Sequence, residues 1–211
     1  MGSEFLSQIR CVVFDVGETL VDETRMWSDL SQRVGVTPLT LSGVLGALIA
    51  TGKDHRDLWD VLRVDRPAVA VDPRLGDLYP DALGCVAAAH RAGLVVGVAG
   101  NQPATVAHVL AASGLEADFV ASSDSWGVAK PDPAFFIRLI SHARVPAESI
   151  LHVGDRLDND VLPARAVGMR TVFIRRGPWG HIHALKDEVA LADLRVDSLQ
   201  ELTMLFGAGR G

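Results

Sequence analysis

Three aspartates of this sequence stand where a carboxylate could act on a ligand. Asp15 directly follows the apolar run 11–14, and Asp155 and Asp160 follow the mostly apolar run 149–153. Such short runs predict buried parallel strands, and open α/β sheets bind their ligands outside the carboxyl ends of those strands. The positions therefore favour a nucleophile or metal ligands. The alternative is that each aspartate caps a helix in an ordinary strand-to-helix turn.

The segment 155–160 contains more aspartates than the capping of one helix requires. Asp155, Asp158 and Asp160 occur within six positions, and capping by Asp158 accounts for only one of them. Together with Asp15 they would repel one another unless a hard divalent cation lay among them. Mg²⁺ suits oxygen ligands that are completed by water and a substrate phosphate. Lys130 would balance the remaining charge and hold a phosphate oxygen, although a solvent-exposed lysine is the ordinary alternative.

Alternating strands and helices are predicted to position these residues. The predicted strands cover residues 11–14, 94–99, 118–121, 149–153, 171–174 and 194–196, and the helices that alternate with them cover 81–91, 103–113, 132–143, 158–167 and 199–206. This alternation predicts an α/β fold with a Rossmann-like, doubly wound parallel sheet. Three helices over 23–34, 38–50 and 54–64 interrupt the pattern after the first strand. We therefore expect a core domain of residues 1–22 and 79–211 and a helical domain over residues 23–78.

Composition and charge argue against several classes of protein. The chain has 211 residues, of which 48% are hydrophobic, so it can bury a large core. Its net charge of -6 and the lack of a basic cluster argue against nucleic acid as a partner. No apolar run reaches the length of a membrane span, so we expect no membrane partner and a cytoplasmic location. Cys11 and Cys85 are expected to be buried free thiols, and the oligomeric state is left open.

Four short motifs occur in a fixed order along the chain. They are Asp15-Val-Gly-Glu-Thr-Leu, Gly100-Asn101, Lys130-Pro-Asp-Pro, and Gly154-Asp155 followed by Asp160. In this order, and on these predicted elements, the set resembles the four motifs of the haloacid dehalogenase-like (HAD) hydrolase superfamily. The helices over residues 23–78 resemble the C1 cap domain of that family, which is inserted after the first strand.

The resemblance implies a phosphatase-type hydrolase and a role for each matched residue. Asp15 matches the nucleophile that becomes an aspartyl phosphate, and Lys130 matches the lysine that neutralises nucleophile and phosphate. Mg²⁺ would be held by Asp15, Asp155 and the backbone carbonyl of Gly17, with Asp160 as a supporting carboxylate. The implied substrate is a small phosphorylated metabolite. Dehalogenase members lack the acidic metal motif, so Asp155 and Asp160 favour phosphoryl chemistry over carbon–halogen cleavage.

Two positions depart from the family pattern. Gly17 stands where the phosphatases usually carry a second aspartate, which protonates the leaving oxygen and then activates water. General acid–base catalysis of this kind contributes about 10²–10⁴-fold. Gly100 stands where Ser or Thr usually bonds a phosphate oxygen, although the Gly100 amide and the neighbouring Asn101 could still donate hydrogen bonds. Glu18 could replace the missing acid, but we expect it to face the cap or solvent.

The two departures leave alternatives to an active phosphatase. One is a HAD fold kept for binding or scaffolding, with negligible turnover. The other is a different HAD reaction, the cleavage of a phosphonate or of a carbon–halogen bond.

Several further residues receive plainer interpretations. Trp27 is predicted to belong to the core of the cap, although a cap aromatic that faced the cleft would select the substrate. His152 is predicted to pack on a buried strand rather than to act in catalysis. His181 and His183 invite a metal-site interpretation, but no third ligand is nearby, so we expect loop histidines. Arg156 is close enough to the carboxylates to pair with one.

Overall fold

The computed structural model describes residues 6–67 and 73–208 of the chain. Its sheet has six parallel strands: β1 (Cys11–Phe14), β2 (Val95–Gly100), β3 (Phe119–Ser122), β4 (Ile150–Gly154), β5 (Arg170–Ile174) and β6 (Leu194–Val196). The strand order is β3-β2-β1-β4-β5-β6. This order confirms the predicted α/β fold, and each of the six strands lies within one residue of its predicted limits.

The α-helices of the described residues alternate with these strands and cover both faces of the sheet. They are α1 (Thr24–Arg33), α2 (Pro38–Ala50), α3 (Leu58–Leu62), α4 (Ala82–Arg91), α5 (Val106–Ala112), α6 (Ser123–Trp126), α7 (Pro133–Ala143), α8 (Leu162–Ala166), α9 (Gly177–His183) and α10 (Leu199–Ala208). Alternate residues of β1 point to opposite faces. Phe14 packs in the core shared with α4 and α10, whereas Val13 packs in the core shared with α7.

The register of the central strands determines where the charged residues lie. Phe14, the last residue of β1, pairs with Val98 of β2 and with Val153 of β4. The amide of Asp15 continues the ladder and donates to the carbonyl of Val153 at 2.8 Å. Because β1, β2 and β4 end side by side, the residues that follow them share one edge of the sheet.

Helices α1, α2 and α3 form a block that follows β1. Thr37 accepts a hydrogen bond from the amide of Thr40 at 3.2 Å and Pro38 occupies the first turn, so α2 begins at its predicted residue. The apolar core of this block includes Leu41 and Leu45 of α2 and also Trp179 of α9. The division into a core and a cap domain stays a prediction, and residues 68–72 of the predicted cap lie outside the described residues.

No single helix in the described parts of the chain is long and apolar enough to cross a membrane. The pair formed by α1 and α2 passes the test of length and composition only when both helices are counted together, and the two are bent by 111°. Most of the long side chains on the apolar face of α2 are buried inside the protein, including Leu41, Leu45 and Ile49.

Three segments differ from the prediction. The helix expected over 54–64 is a short 3-10 turn, His55–Asp57, followed by α3. The helix expected over 158–167 divides into a wide π-helical turn, Leu157–Val161, and α8, because Pro163 has no N–H with which to continue the α-helical hydrogen bonds.

The prediction that His181 and His183 lie in a loop is wrong, because both belong to α9. Pro178 occupies the first turn of this helix, where a missing N–H costs nothing. Because Gly177 and Gly180 lie on either side of Pro178, the start of this helix was not recognised in the sequence. This correction matters because α9 carries Trp179 to the helical block and to the pocket described next.

Candidate active site

A pocket of about 220 Å³ opens at the edge of the sheet where β1, β2 and β4 end. Two groups of residues surround it. Asp15 and Asp155 line the pocket at the strand ends, and Lys130 and Asp160 lie buried behind them, with Lys130 in contact with both Asp15 and Asp160. We call these four charged residues the pocket floor. The pocket wall consists of residues from the helical block and α9, namely Glu23, Trp27, His55 and Trp179.

Lys130 is the central cation of the floor. Its side chain is fully buried, and its Nζ lies 2.5 Å from Oδ1 of Asp15 and 2.5 Å from Oδ1 of Asp160. Burial by itself would lower the pKa of Lys130, but the charges of Asp15 and Asp160 raise it above the ordinary value. Lys130 is therefore a buried ammonium group, not the solvent-exposed lysine that was the alternative from sequence.

Asp160 is an ionised carboxylate that supports the lysine. Burial opposes its ionisation, but Lys130 and the ring of His152, whose Nε2 lies 3.2 Å from Oδ1, hold the pKa of Asp160 well below its usual range. Gly154 allows this approach, since a Cβ there would lie 2.4 Å from Cγ of Asp160. His152 packs on β4 as expected, and it also contacts the supporting carboxylate.

Asp155 has no cationic partner in the floor, and Asp15 shares Lys130 with Asp160. Among the described residues, none donates a hydrogen bond to the carboxylate of Asp155, which is only 2% exposed. Burial and the charges of Asp160 and Asp15 raise its pKa well above the ordinary value. Burial also raises the pKa of Asp15, against the opposing effect of Lys130. Oxygens of Asp15, Asp155 and Asp160 lie within 4.8 Å of one another, and this buried oxygen cluster suits a hard divalent cation.

Asn101 links the second motif to the third. Its Nδ2 donates to the carbonyl of Lys130 at 2.8 Å, and its Oδ1 accepts from the amide of Lys130 at 2.8 Å. The side chain thereby positions the lysine while it also lines the pocket. A Cβ on Gly100 would lie 3.1 Å from Cγ2 of Val16 and 3.3 Å from Oδ1 of Asp15, so a larger residue would touch the floor directly.

Of the two positions expected for Glu18, exposure to solvent is wrong, whereas its contact with Glu23, the first residue of the predicted cap, agrees with the other. Glu18 is buried, with Oε1 accepting from the amide of Glu23 at 3.1 Å and Oε2 accepting from the hydroxyl of Tyr79 at 2.5 Å. Its side chain packs against Gly177, where a Cβ would lie 2.4 Å from Cγ of Glu18. Both carboxylate oxygens are thus held by hydrogen bonds, and the residue joins the loop after β1 to the start of α9.

Glu23 fills the space beside Gly17 that a side chain at residue 17 would occupy. A Cβ on Gly17 would lie 2.3 Å from Oε1 of Glu23, while Oε2 of Glu23 accepts from the indole N–H of Trp27 at 3.1 Å. Burial and the charge of Glu18 raise the pKa of Glu23 to about 7. In the sequence, Glu23 is only the beginning of a predicted helix, because no local pattern connects it to Gly17.

Aromatic contacts assemble the rest of the wall. The ring centroids of Trp27 and Trp179 lie 6.4 Å apart, and His55 meets Trp179 edge-on at 5.6 Å. The guanidinium of Arg156 lies 4.7 Å from the centroid of Trp179 and pairs with Asp158 at 2.8 Å, as the sequence predicted for Arg156. Trp27 therefore does both things considered for it, since it packs in the helical block and lines the pocket.

A family model matches residues 9–168, which include every residue of the floor, and its description is haloacid dehalogenase-like hydrolase. The chain belongs to the haloacid dehalogenase-like hydrolase family. The match contains the four motifs in order and the whole segment between β1 and α8. The resemblance inferred from the residues is therefore confirmed, and this HAD chain is a member of a hydrolase family.

Two curated relatives carry phosphatase names. A glyceraldehyde 3-phosphate phosphatase of Methanopyrus kandleri is 39% identical over 83 residues, covering 39% of this chain and 35% of the relative. A phosphoserine phosphatase of Thermus thermophilus is 35% identical over 128 residues, covering 59% of this chain and 49% of the relative. This HAD chain thus spans less than half the length of these curated relatives.

The fold is shared with solved structures along nearly the whole chain. A HAD phosphatase from Thermococcus onnurineus superposes with a TM-score of 0.63 at 22% identity, covering 96% of this chain and 100% of that chain. At this level of identity the likeness concerns the fold alone. It agrees with the parallel sheet and its strand order.

Proposed function

We propose that this HAD chain is a Mg²⁺-dependent phosphatase that hydrolyses a small phosphorylated metabolite through an aspartyl phosphate on Asp15. The observation that carries the proposal is the contact of Asp15 with the buried ammonium of Lys130, beside Asp155, at a pocket. Phosphoryl transfer depends mainly on positioning and on neutralising charge, and this floor supplies both. The phosphatase names of the two curated relatives support the same reaction class.

The donor set of the floor fits Mg²⁺. Asp15 and Asp155 would hold the ion, because their oxygens lie close together and Asp155 receives no hydrogen bond from the described residues. The ligand role of the Gly17 carbonyl stays a prediction. When bound, Mg²⁺ would withdraw charge from the phosphoryl oxygens and the carboxylates.

Each protein group has a defined part in the proposed reaction. Asp15 attacks phosphorus, and the P–O bond to the leaving group breaks. Lys130 favours the ionised form of Asp15 and offsets the charge of the transferring phosphoryl group. Asp160 and Asn101 hold Lys130 in place through its ammonium and its backbone. Water then cleaves the aspartyl phosphate, which releases inorganic phosphate and restores Asp15.

The first experiment measures hydrolysis of p-nitrophenyl phosphate with Mg²⁺ and with EDTA. Wild type is expected to release p-nitrophenol only with Mg²⁺, and Asp15→Asn is expected to reduce the rate to background because the nucleophile is lost. Asp65→Asn, the same change at an exposed residue that does not line the pocket, serves as the matched control. Turnover that survives in Asp15→Asn would refute the proposed nucleophile.

The rival functions have distinct outcomes in the same assay. The glycines at 17 and 100 favour a binding or scaffold protein, which would show no turnover in a folded sample that binds Mg²⁺. Halide release from a 2-haloacid without metal would indicate dehalogenase chemistry instead. The substrate, the absence of nucleic acid and membrane partners, and the cytoplasmic location stay predictions.

A further inference from the structure

Phosphoryl transfer from an ester needs a proton donor near the leaving oxygen, and then a base for the attacking water. Four carboxyl groups line the pocket. They are the proposed nucleophile Asp15 and three others, Glu18, Glu23 and Asp155. Asp15 is the attacking group and is paired with Lys130, and Asp155 belongs to the oxygen cluster that suits a cation. Two carboxyl groups, Glu18 and Glu23, are left as candidates for the proton transfers.

Glu18 is held away from such a role by its contacts. One of its oxygens accepts from the amide of Glu23 and the other accepts from the hydroxyl of Tyr79. Its side chain also packs against Gly177 at the start of α9. To reach a substrate, Glu18 would have to break two hydrogen bonds and leave a buried site, which is costly.

Glu23 has the geometry that Glu18 lacks. Its Oε2 accepts from the indole N–H of Trp27, whereas its Oε1 receives no hydrogen bond from any described residue and lies over Gly17. Gly17 is two residues after Asp15, so this oxygen stands where a side chain at residue 17 would project beside the nucleophile. Because Gly17 has no Cβ, the carboxyl group of Glu23 fits into this space.

We infer that Glu23 is the acid and base of the reaction, an inference that rests on the proposed phosphatase function. As an oxygen of Asp15 bonds to phosphorus, the P–O bond of the ester breaks and its electron pair goes to the leaving oxygen. That oxygen takes the proton of the Glu23 carboxyl group and departs as an alcohol or phenol.

The second half of the reaction restores the carboxylate of Asp15 and the protonated carboxyl group of Glu23. Glu23, now ionised, takes a proton from water while the water oxygen bonds to phosphorus. The P–O bond to Asp15 breaks, its electron pair returns to the carboxylate, and inorganic phosphate leaves. The net change is one ester and one water consumed, and one hydroxyl compound and one phosphate formed. Trp27 acts as a positioning residue that keeps Oε1 of Glu23 directed over Gly17.

The test compares two substrates with the same ring, phenyl phosphate and p-nitrophenyl phosphate, in the Mg²⁺-loaded enzyme. Phenolate is the poorer leaving group and depends more on a proton donor. Glu23→Gln is expected to lower kcat for phenyl phosphate by about 10²-fold or more, with a smaller loss for p-nitrophenyl phosphate and little change in KM. Glu148→Gln, the same change at an exposed residue outside the pocket, is expected to leave both rates as in wild type.

A relocated carboxyl group supplies the second arm of the test. Glu23→Ala removes the glutamate and empties the space over Gly17, and Gly17→Asp in the same chain places a carboxyl group there. The double variant is expected to recover the phenyl phosphate rate that Glu23→Ala alone loses. An unchanged rate ratio between the two substrates in Glu23→Gln, in a protein with wild-type thermal stability, would overturn the inference. Absence of turnover in wild type would instead reject the phosphatase function itself.

Discussion

The pocket floor and the pocket wall are built by different means. The floor residues lie in loops and turns near the carboxyl ends of the strands. Asp15 and Asp160 each make a short ionic hydrogen bond with Lys130. The wall brings together α1, the 3-10 turn at His55 and α9, which are far apart in sequence and meet through aromatic rings. Backbone register determines the positions in the floor, whereas side-chain packing determines those in the wall.

This difference suggests that the floor and the wall have separate roles in the proposed reaction. The floor contains the charges that phosphoryl transfer needs, and their balance depends on one ammonium group among three carboxylates. The wall adds Glu23, whose carboxyl group occupies the space over Gly17 because residue 17 has no side chain. Loss of the floor cation should therefore cost both stability and turnover, while changes in the wall should separate these two properties.

The largest expected effect comes from removing the floor cation. Lys130→Met leaves Asp15 and Asp160 buried without their partner, so we expect the free energy of unfolding to fall by about 3–5 kcal/mol in EDTA. Urea denaturation measures the change. Lys53→Met, the same substitution at an exposed lysine, is expected to alter this free energy by less than about 0.5 kcal/mol. Equal stability of the two variants would show that the ion pairs do not hold the floor together.

An intermediate effect is expected from the carboxylate that has no hydrogen-bond donor. The folded protein raises the pKa of Asp155, so at neutral pH its ionised form disfavours folding in the absence of metal. Asp155→Asn should therefore raise the melting temperature in EDTA, by about 2–4 °C for each kcal/mol by which the free energy of unfolding increases. Mg²⁺ should raise the melting temperature of wild type but not of the variant. A variant that is less stable than wild type in EDTA would contradict this account.

The smallest effect concerns the contact between α9 of the wall and the loop after β4. Nδ1 of His183 accepts from the amide of Leu157 at 3.1 Å, and burial lowers the pKa of His183 from 6.5 to about 4. Asp158 opposes this shift, whereas Lys186 and Arg156 add to it. Because the unfolded chain binds the proton first, the stabilising contribution of the neutral ring is present above pH 6.5 and is lost as the pH falls towards 4.

The variant His183→Asn isolates that contribution. Its Oδ1 can still accept a hydrogen bond, but it does not titrate. The free energy of unfolding should decline less between pH 6.5 and pH 4 in His183→Asn than in wild type, when both are followed by urea denaturation. Parallel pH profiles would show that His183 is not held neutral by its position.

Much of the floor could be predicted from the sequence because its signals are local. The apolar run that ends at Phe14 predicts both a strand and the position of Asp15 at its carboxyl end. The order of the motifs then indicates which loops share an edge of the sheet. Local patterns do not report how a buried Lys130 is shared between Asp15 and Asp160, since that depends on distances between three segments that are far apart in sequence.

The wall was predicted less well for a physical reason. The helix α9 was expected as a loop because glycines weaken its local signal, and its stability comes from packing Trp179 into the helical block. Glu18 is expected to face the cap or solvent, and it does accept from the amide of Glu23, the first residue of the predicted cap, but its hydrogen bond with Tyr79 of the predicted core domain was not expected. The contact between Glu18 and Tyr79 joins residues far apart in sequence, so no periodic pattern of residues predicts it.

The family, the parallel sheet and the residue types of the floor can be read from the amino-acid sequence, because strand length, residue order and charge are local properties of the chain. The sequence also shows that Gly17 lacks a carboxyl group. The residue that occupies the space beside Gly17 is known only from the folded chain, whose path from β1 into α1 brings Glu23 back over Gly17. An absent side chain is visible in a sequence, but the neighbour that occupies its place is visible only after folding.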